Sequence, residues 1–327
     1  MTRASGVGSW PGTDPGEANG TIRNLLAENG LPFLPELPAR GPGAELIGRG
    51  AALLLDLPVE LTPSGWRHTD APGRDLSRAR GYLANDLDAL AEAYDGYGGD
   101  LKVQVTGPWT LAASVELPRG ERTLTDPGAT ADIIASLAEG VRRHCADVER
   151  LLPGVKLVVQ IDEPWLPAVL AGRLPTASGY GRVRSVDPAI VESGLRTVVS
   201  SVEDTRPVVH CCDRAIPLPL LRRAGVTGVS MAITGLSATV WESIAAGVED
   251  GLTLYAGALP TDEVGDYQTA TTALTRAWQA VGLERARLDD LVITAACGIP
   301  GLTIAQARRA LQVAVDVATA LGEQAHA

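Results

Sequence analysis

Short apolar runs alternate along the chain with longer stretches of helical periodicity. The segments LKVQVTG (101–107) and VKLVVQIDEP (155–164) have the length and β-branched content of buried strands. RPVVHCC (206–212), GVTGVSMAI (225–233), GLTLYAGAL (251–259) and LVITAACG (291–298) follow the same pattern. Two earlier segments, SGVGSW (5–10) and AALLLDLPVEL (51–61), complete a set of eight strand candidates, with a Pro/Gly-rich linker expected over Leu31–Gly43. Between the strands, segments such as 77–94, 129–152 and 303–321 carry apolar residues at three- and four-residue spacing, the mark of amphipathic helices. Ser77 and Thr303 are expected as N-caps, and Gly30 as the C-cap of a helix over 17–30.

Strands alternating with helices predict a parallel sheet. Eight such units in 327 residues predict an α/β fold of one (β/α)8 TIM barrel, a single domain over 1–327. No repeat, low-complexity tract or interdomain linker interrupts the pattern.

Composition narrows the function. The net charge is -11 and the pI about 4.9, with no Lys/Arg run, so no nucleic-acid partner is expected. The N-terminal MTRASGVGSWPG has no apolar core of a secretory signal, and no apolar stretch reaches membrane-spanning length, so no membrane partner is expected. Four cysteines, two of them adjacent, do not form a disulfide framework. The expected setting is reduced and cytoplasmic.

A barrel collects its chemistry where strands end and βα-loops begin. The polar residues at those points are Ser9, Glu60, Thr106, Asp162, Glu163, His210, Cys212 and Cys297. Strand periodicity lets His210 and Cys212 face the same way while Cys211 turns elsewhere. Cys297 ends the last strand at the same rim. One imidazole and two thiolates form a soft donor set suited to zinc, and three protein ligands leave a coordination position open. The bland alternative is that each cysteine is a small core residue. In QIDEP, Asp162 and Glu163 point to opposite sides of the strand, so one carboxylate faces the mouth, to bind an ammonium or hold a proton. The alternative there is an N-cap or a loop salt bridge. The turns VGSWPG and VTGPWT offer backbone amides to a carboxylate, or are ordinary turns. His144 and Cys145 fall in mid-helix and are read as packing or surface residues, and His68 as a loop residue.

Taken in order, VGSWPG, TGPWTL, QIDEP, His210-x-Cys212 and Ala296-Cys297-Gly298 resemble the catalytic C-terminal barrel of cobalamin-independent methionine synthase, over nearly the whole chain. Full-length members have two barrels; this chain has room for the second only and looks like the short, core-type form. The resemblance implies zinc on His210, Cys212 and Cys297, and a methyl transfer to the thiol of homocysteine. It implies that Asp162 binds the amino-acid ammonium, with Glu60 as a second ammonium-binding carboxylate. Val7, Gly8 and Ser9 would hold the carboxylate, and Trp109 would line the methyl-donor side. The donor implied is a methyltetrahydrofolate polyglutamate, or a methylcorrinoid protein for short forms. Two departures stand out. Ala232 occupies the position of the family's fourth zinc ligand, a Glu, so water, Cys211 or another acid would have to substitute. LYAGALPTDE lacks the Asp and His of the family's seventh strand, with Asp262 as a partial replacement lying further on. Two other readings follow from these losses: a uroporphyrinogen-decarboxylase-like enzyme of the same superfamily, or a non-catalytic barrel that has lost full zinc coordination.

Overall fold

The computed structural model describes every residue from 1 to 327 except residue 203. The chain opens with strand β1 (Arg3–Ala4) and helix α1 (Pro15–Leu26). Helix α2 (Leu46–Leu53) leads into a hairpin, β2 (Val59–Thr62) and β3 (Gly65–His68), and then helix α3 (Arg74–Ala93). Regular alternation follows: β4 (Asp100–Thr106), α4 (Pro108–Ser114), α5 (Pro127–Leu151), β5 (Lys156–Asp162), α6 (Leu166–Leu170), α7 (Pro188–Ser200), β6 (Arg206–His210) and α8 (Leu218–Arg223). The last units are β7 (Gly228–Ala232), α9 (Ala238–Glu249), β8 (Thr253–Leu259), α10 (Tyr267–Ala280), β9 (Val292–Ala295) and α11 (Ile304–Ala325).

Helix starts are written locally. Asp14-Pro15, Asp126-Pro127 and Asp187-Pro188 each place a capping carboxylate before a proline at the first helical position. Thr303 caps α11 in a full capping box with Gln306. Ser77 lies inside α3, whose N-cap is Gly73, and α1 ends at Leu26 with Ala27 as its C-cap, ahead of Gly30.

Seven strands form one parallel sheet in the order β1-β9-β8-β7-β6-β5-β4. Residues 31–37 close the gap between its two edges. Leu31 N donates to Ala4 O at 2.8 Å and Glu36 N to Gly8 O at 3.1 Å on one side; Leu34 N donates to Lys102 O at 2.9 Å on the other. Lys102 N completes the seam by donating to Pro32 O at 2.8 Å. The result is the TIM-type barrel expected from the alternation, but its second strand is not the one expected. The run 51–61 divides between α2 and the antiparallel hairpin, which stands outside the parallel sheet. The segment read as a linker is the barrel strand. The first strand also lies earlier than 5–10, which leaves residues 6–10 as a turn at the rim.

Outward-facing strand residues pack under the helices in one large core. Inside the barrel, Leu31, Val158, Val208, Tyr255 and Val292 form a small separate apolar layer. The alternation that places Val158 and Val208 there also points Gln160, Asp162 and His210 inward, further toward the C-terminal ends of the strands. The interior is therefore apolar below and polar above. Among the described residues, no helix is long and apolar enough to cross a membrane.

Candidate metal centre

His210 ends β6, Cys212 follows two residues later, and Cys297 lies two residues beyond β9. Their ligand atoms all lie within 4.8 Å of one another. His210 Nε2 is 3.0 Å from Cys212 Sγ, and Cys212 donates to Cys297 Sγ at 2.8 Å. The other imidazole nitrogen, Nδ1, is 2.9 Å from Ser230 Oγ on β7, a contact that fixes the ring's orientation. Cys211 turns to the other face and is fully buried in the outer core.

A hydrogen bond joins the two thiols. Hydrogen bonds from Cys212 and His210 pull Cys297 down to about 4 against the effect of burial. The Cys297 sulfur and burial push Cys212 well above the ordinary thiol range. This trio suits zinc. Tetrahedral bonds of about 2.0–2.3 Å need donor atoms roughly 3.3–3.8 Å apart, so the sulfurs and nitrogen need to spread by less than about 1 Å. Among the described residues no fourth His, Cys, Asp or Glu joins the group. Ala232 ends β7 one period beyond Ser230, so the rim there offers only a methyl group.

A group of buried acidic and polar side chains adjoins the cysteines. The turn Val7-Gly8-Ser9 is tied to the Cys297 loop: Ile299 N donates to Ser9 O at 3.0 Å. A side chain on Gly298 would strike Ser9 Cβ at 2.7 Å. Gly8, at φ +156°, lies so close to Gln104 that a Cβ would meet its Nε2 at 2.7 Å. Ser9 Oγ donates to Glu36 Oε2 at 3.4 Å, and Glu36 is itself buried and ion-paired to Arg49 at 3.3 Å. Asp162 pairs in register with His210 and accepts from Gln160 Nε2 at 2.7 Å. Burial pushes the Asp162 carboxyl up to about 7; His210 counters this, and the charge of Glu36 adds to it.

Not every expected residue joins. Glu60 is exposed on the outer hairpin, opposite Arg67, whereas Glu36 is buried at the rim beside Ser9. Sequence reading missed Glu36 because LPELP looks like loop. Trp109, expected on the methyl-donor side, is fully buried in α4 with its indole donating to Val191 O at 3.1 Å. Glu163 faces outward from β5, where it accepts from Trp109 N, Thr110 N and Thr110 Oγ1 at the start of α4. It is the helix cap that the bland reading of QIDEP described.

The family model for the cobalamin-independent synthase catalytic domain matches residues 1–320. The chain belongs to that family. A B12-independent methionine synthase from Shewanella sp. W3-18-1, solved in complex with selenomethionine, has a similar fold, with a TM-score of 0.66. The two share 13% identity, over 99% of this chain and 98% of that one. The IolI protein with a bound zinc atom is far more distant, with a TM-score of 0.37 at 13% identity over 76% of this chain and 85% of that one. A psychrophilic family 10 endo-β-1,4-xylanase is as distant, with a TM-score of 0.37 at 12% identity over 69% and 80%. No curated protein matches the chain by sequence. Family membership agrees with the order of motifs along the chain and with the closed barrel.

Proposed function

We propose that this synthase-family barrel is a zinc-dependent methyltransferase that methylates the thiol of homocysteine to give methionine. The observation that carries the reading is the convergence of His210, Cys212 and Cys297 at the rim, with an open side at Ala232. A bound zinc would supply thiol acidification, so that the substrate sulfur reacts as a thiolate near neutral pH. The protein's own groups handle the rest of the substrate. Asp162 and Glu36 present two carboxylates to the ammonium, and the amides and hydroxyl of Val7-Gly8-Ser9 receive the carboxylate. The ties between Ser9, Ile299 and Gly298 hold that turn beside Cys297, which keeps the amino-acid end and the sulfur end in a fixed relation.

The methyl donor is a methyltetrahydrofolate polyglutamate or a methylcorrinoid carrier. β8 ends at Leu259 and itself carries no His or Asp for proton handling; Asp262 lies three residues beyond it and is exposed. That loss, with Ala232, also favours a second reading, a barrel that binds amino acids without catalysis. A decarboxylase that clamps substrate carboxylates with arginine fits less well, since Arg49 is already bound to Glu36 and Asp86.

Two measurements on the purified full chain test the proposal. Elemental analysis is expected to give about one zinc per chain, and Cys297→Ser to lose it. A methyl-transfer assay with homocysteine and both donor classes is expected to yield methionine with one of them. Protein that holds no zinc while Cys212 and Cys297 are reduced would overturn the zinc reading. Zinc-loaded protein inactive with every donor would leave the binding-protein reading.

A further inference from the structure

Lys102 is buried inside the barrel, and neither the zinc ligands nor the acids beside them use it directly. It lies on β4, with Phe33 against its ammonium at 5.4 Å from the ring centroid. Nζ donates to three oxygens: Val7 O at 2.8 Å, Gln104 Oε1 at 2.9 Å and Gln160 Oε1 at 2.8 Å. Three acceptors require three N–H bonds, which the ammonium has and a neutral amine lacks. Burial lowers its pKa to about 7, opposed by the charges of Asp162 and Glu36.

These three bonds set the direction of everything above them. Both glutamine oxygens face the lysine, so both amide nitrogens must face acceptors. Gln104 Nε2 donates to Leu34 O at 2.7 Å, two residues before Glu36 on the closing strand. Gln160 Nε2 donates to Val7 O at 2.8 Å and to Asp162 Oδ1 at 2.7 Å. One cation thus reaches the turn at Val7 directly, the Glu36 strand through Gln104, and Asp162 through Gln160. An apolar side chain would fill the same space without the cost of burying a charge, and would continue the layer of Val158 and Val208 below.

We propose that Lys102 is a positioning residue for the amino-acid end of the substrate, holding the carboxylate-binding turn and the two ammonium-binding acids in one arrangement. The proposal rests on the amino-acid thiol reading above. Its effect is on recognition of the ammonium and carboxylate, not on the metal.

Calorimetric titration of the full chain tests it, with three probes: methionine, 4-(methylthio)butanoate, which lacks the ammonium, and 3-(methylthio)propylamine, which lacks the carboxylate. Wild type is expected to prefer methionine over both analogues. Lys102→Met is expected to bind methionine about 10- to 100-fold more weakly, and all three probes within a few-fold of one another, with zinc content unchanged. Methionine binding within twofold of wild type would overturn the proposal. If Lys102→Met does not fold, Gln160→Met cuts the link to Asp162, while the turn at Val7 keeps its direct bond from Lys102. It is expected to weaken methionine about tenfold while leaving 4-(methylthio)butanoate unchanged. Equal losses for both probes, or none, would overturn the proposal. A wild type that binds no methionine would refute the amino-acid reading itself, an outcome distinct from a variant that binds as well as wild type.

Discussion

Glu36 and Glu60 are both glutamates after apolar residues, and only their surroundings separate them. Glu36 is buried between Ser9 and Arg49, while Glu60 stands in solvent on the hairpin. A carboxylate that meets a substrate ammonium in a buried pocket forms a charge-assisted bond of about 1.5–3 kcal/mol. Glu36→Gln is therefore expected to raise the KM for homocysteine by about 10- to 100-fold, with a smaller change in kcat. Glu60→Ala is expected to leave both constants within about twofold, since isolated surface substitutions change little. Steady-state kinetics on the two variants decides; the reverse pattern would return the ammonium role to Glu60. The cluster of His210, Cys212 and Cys297 was legible because H-x-C needs only strand periodicity and a second cysteine at another strand end. Glu36 was not, because two prolines flank its dipeptide, and Lys102 was not, because a lysine within LKVQVTG reads as an ordinary polar position.

At the scale of elements, β4 to β9 were legible as apolar runs because a parallel barrel buries both faces of each strand. The closing strand 31–37 was hidden by Pro32 and Pro35. Proline removes ladder donors, yet Leu31, Leu34 and Glu36 keep their N–H groups and bond to the two neighbours in turn. The opposite error arose at 51–61, an apolar run read as a strand whose first residues end the buried helix α2 and whose last residues enter the hairpin. The C-terminal end of β5 has a consequence for stability. Burial raises Glu163 from 4.5 to about 7, against the bonds from Thr110 and Trp109. Between those two values the folded protein holds a proton on Glu163 that the unfolded chain has lost. Its contribution to stability is therefore fully present below pH 4.5 and is lost as pH rises toward 7, by up to about 1.4 kcal/mol per pH unit. Denaturant melts across this range are expected to show the decline, and Glu163→Gln to flatten it while lowering stability at low pH. A variant with an unchanged slope would assign the decline to other groups, with Asp162, also raised to about 7, the first to test.

At the scale of the molecule, the candidate metal site joins distant parts of the chain. His210 ends β6, Cys212 follows it and Cys297 follows β9, with β7 and β8 between them around the barrel. An ion held by all three would span the mouth and bind only the folded arrangement. Zinc at 100 times its Kd would then add about 2.7 kcal/mol of stability. At roughly 2–4 °C per kcal/mol for large domains, this is a Tm rise of about 5–10 °C. A chelator is expected to remove that increment from the wild type. Cys297→Ser is expected to show no zinc-dependent increment at all. Cys145→Ala provides the control: Cys145 is packed in α5, so its loss lowers the baseline Tm and leaves the increment intact. The sign with pH also follows. The thiol hydrogen that joins Cys212 to Cys297 must leave when both sulfurs bind an ion as thiolates, so the increment shrinks as pH falls. A zinc-dependent Tm shift that survived Cys297→Ser, or that grew on acidification, would place the ion elsewhere on this acidic surface.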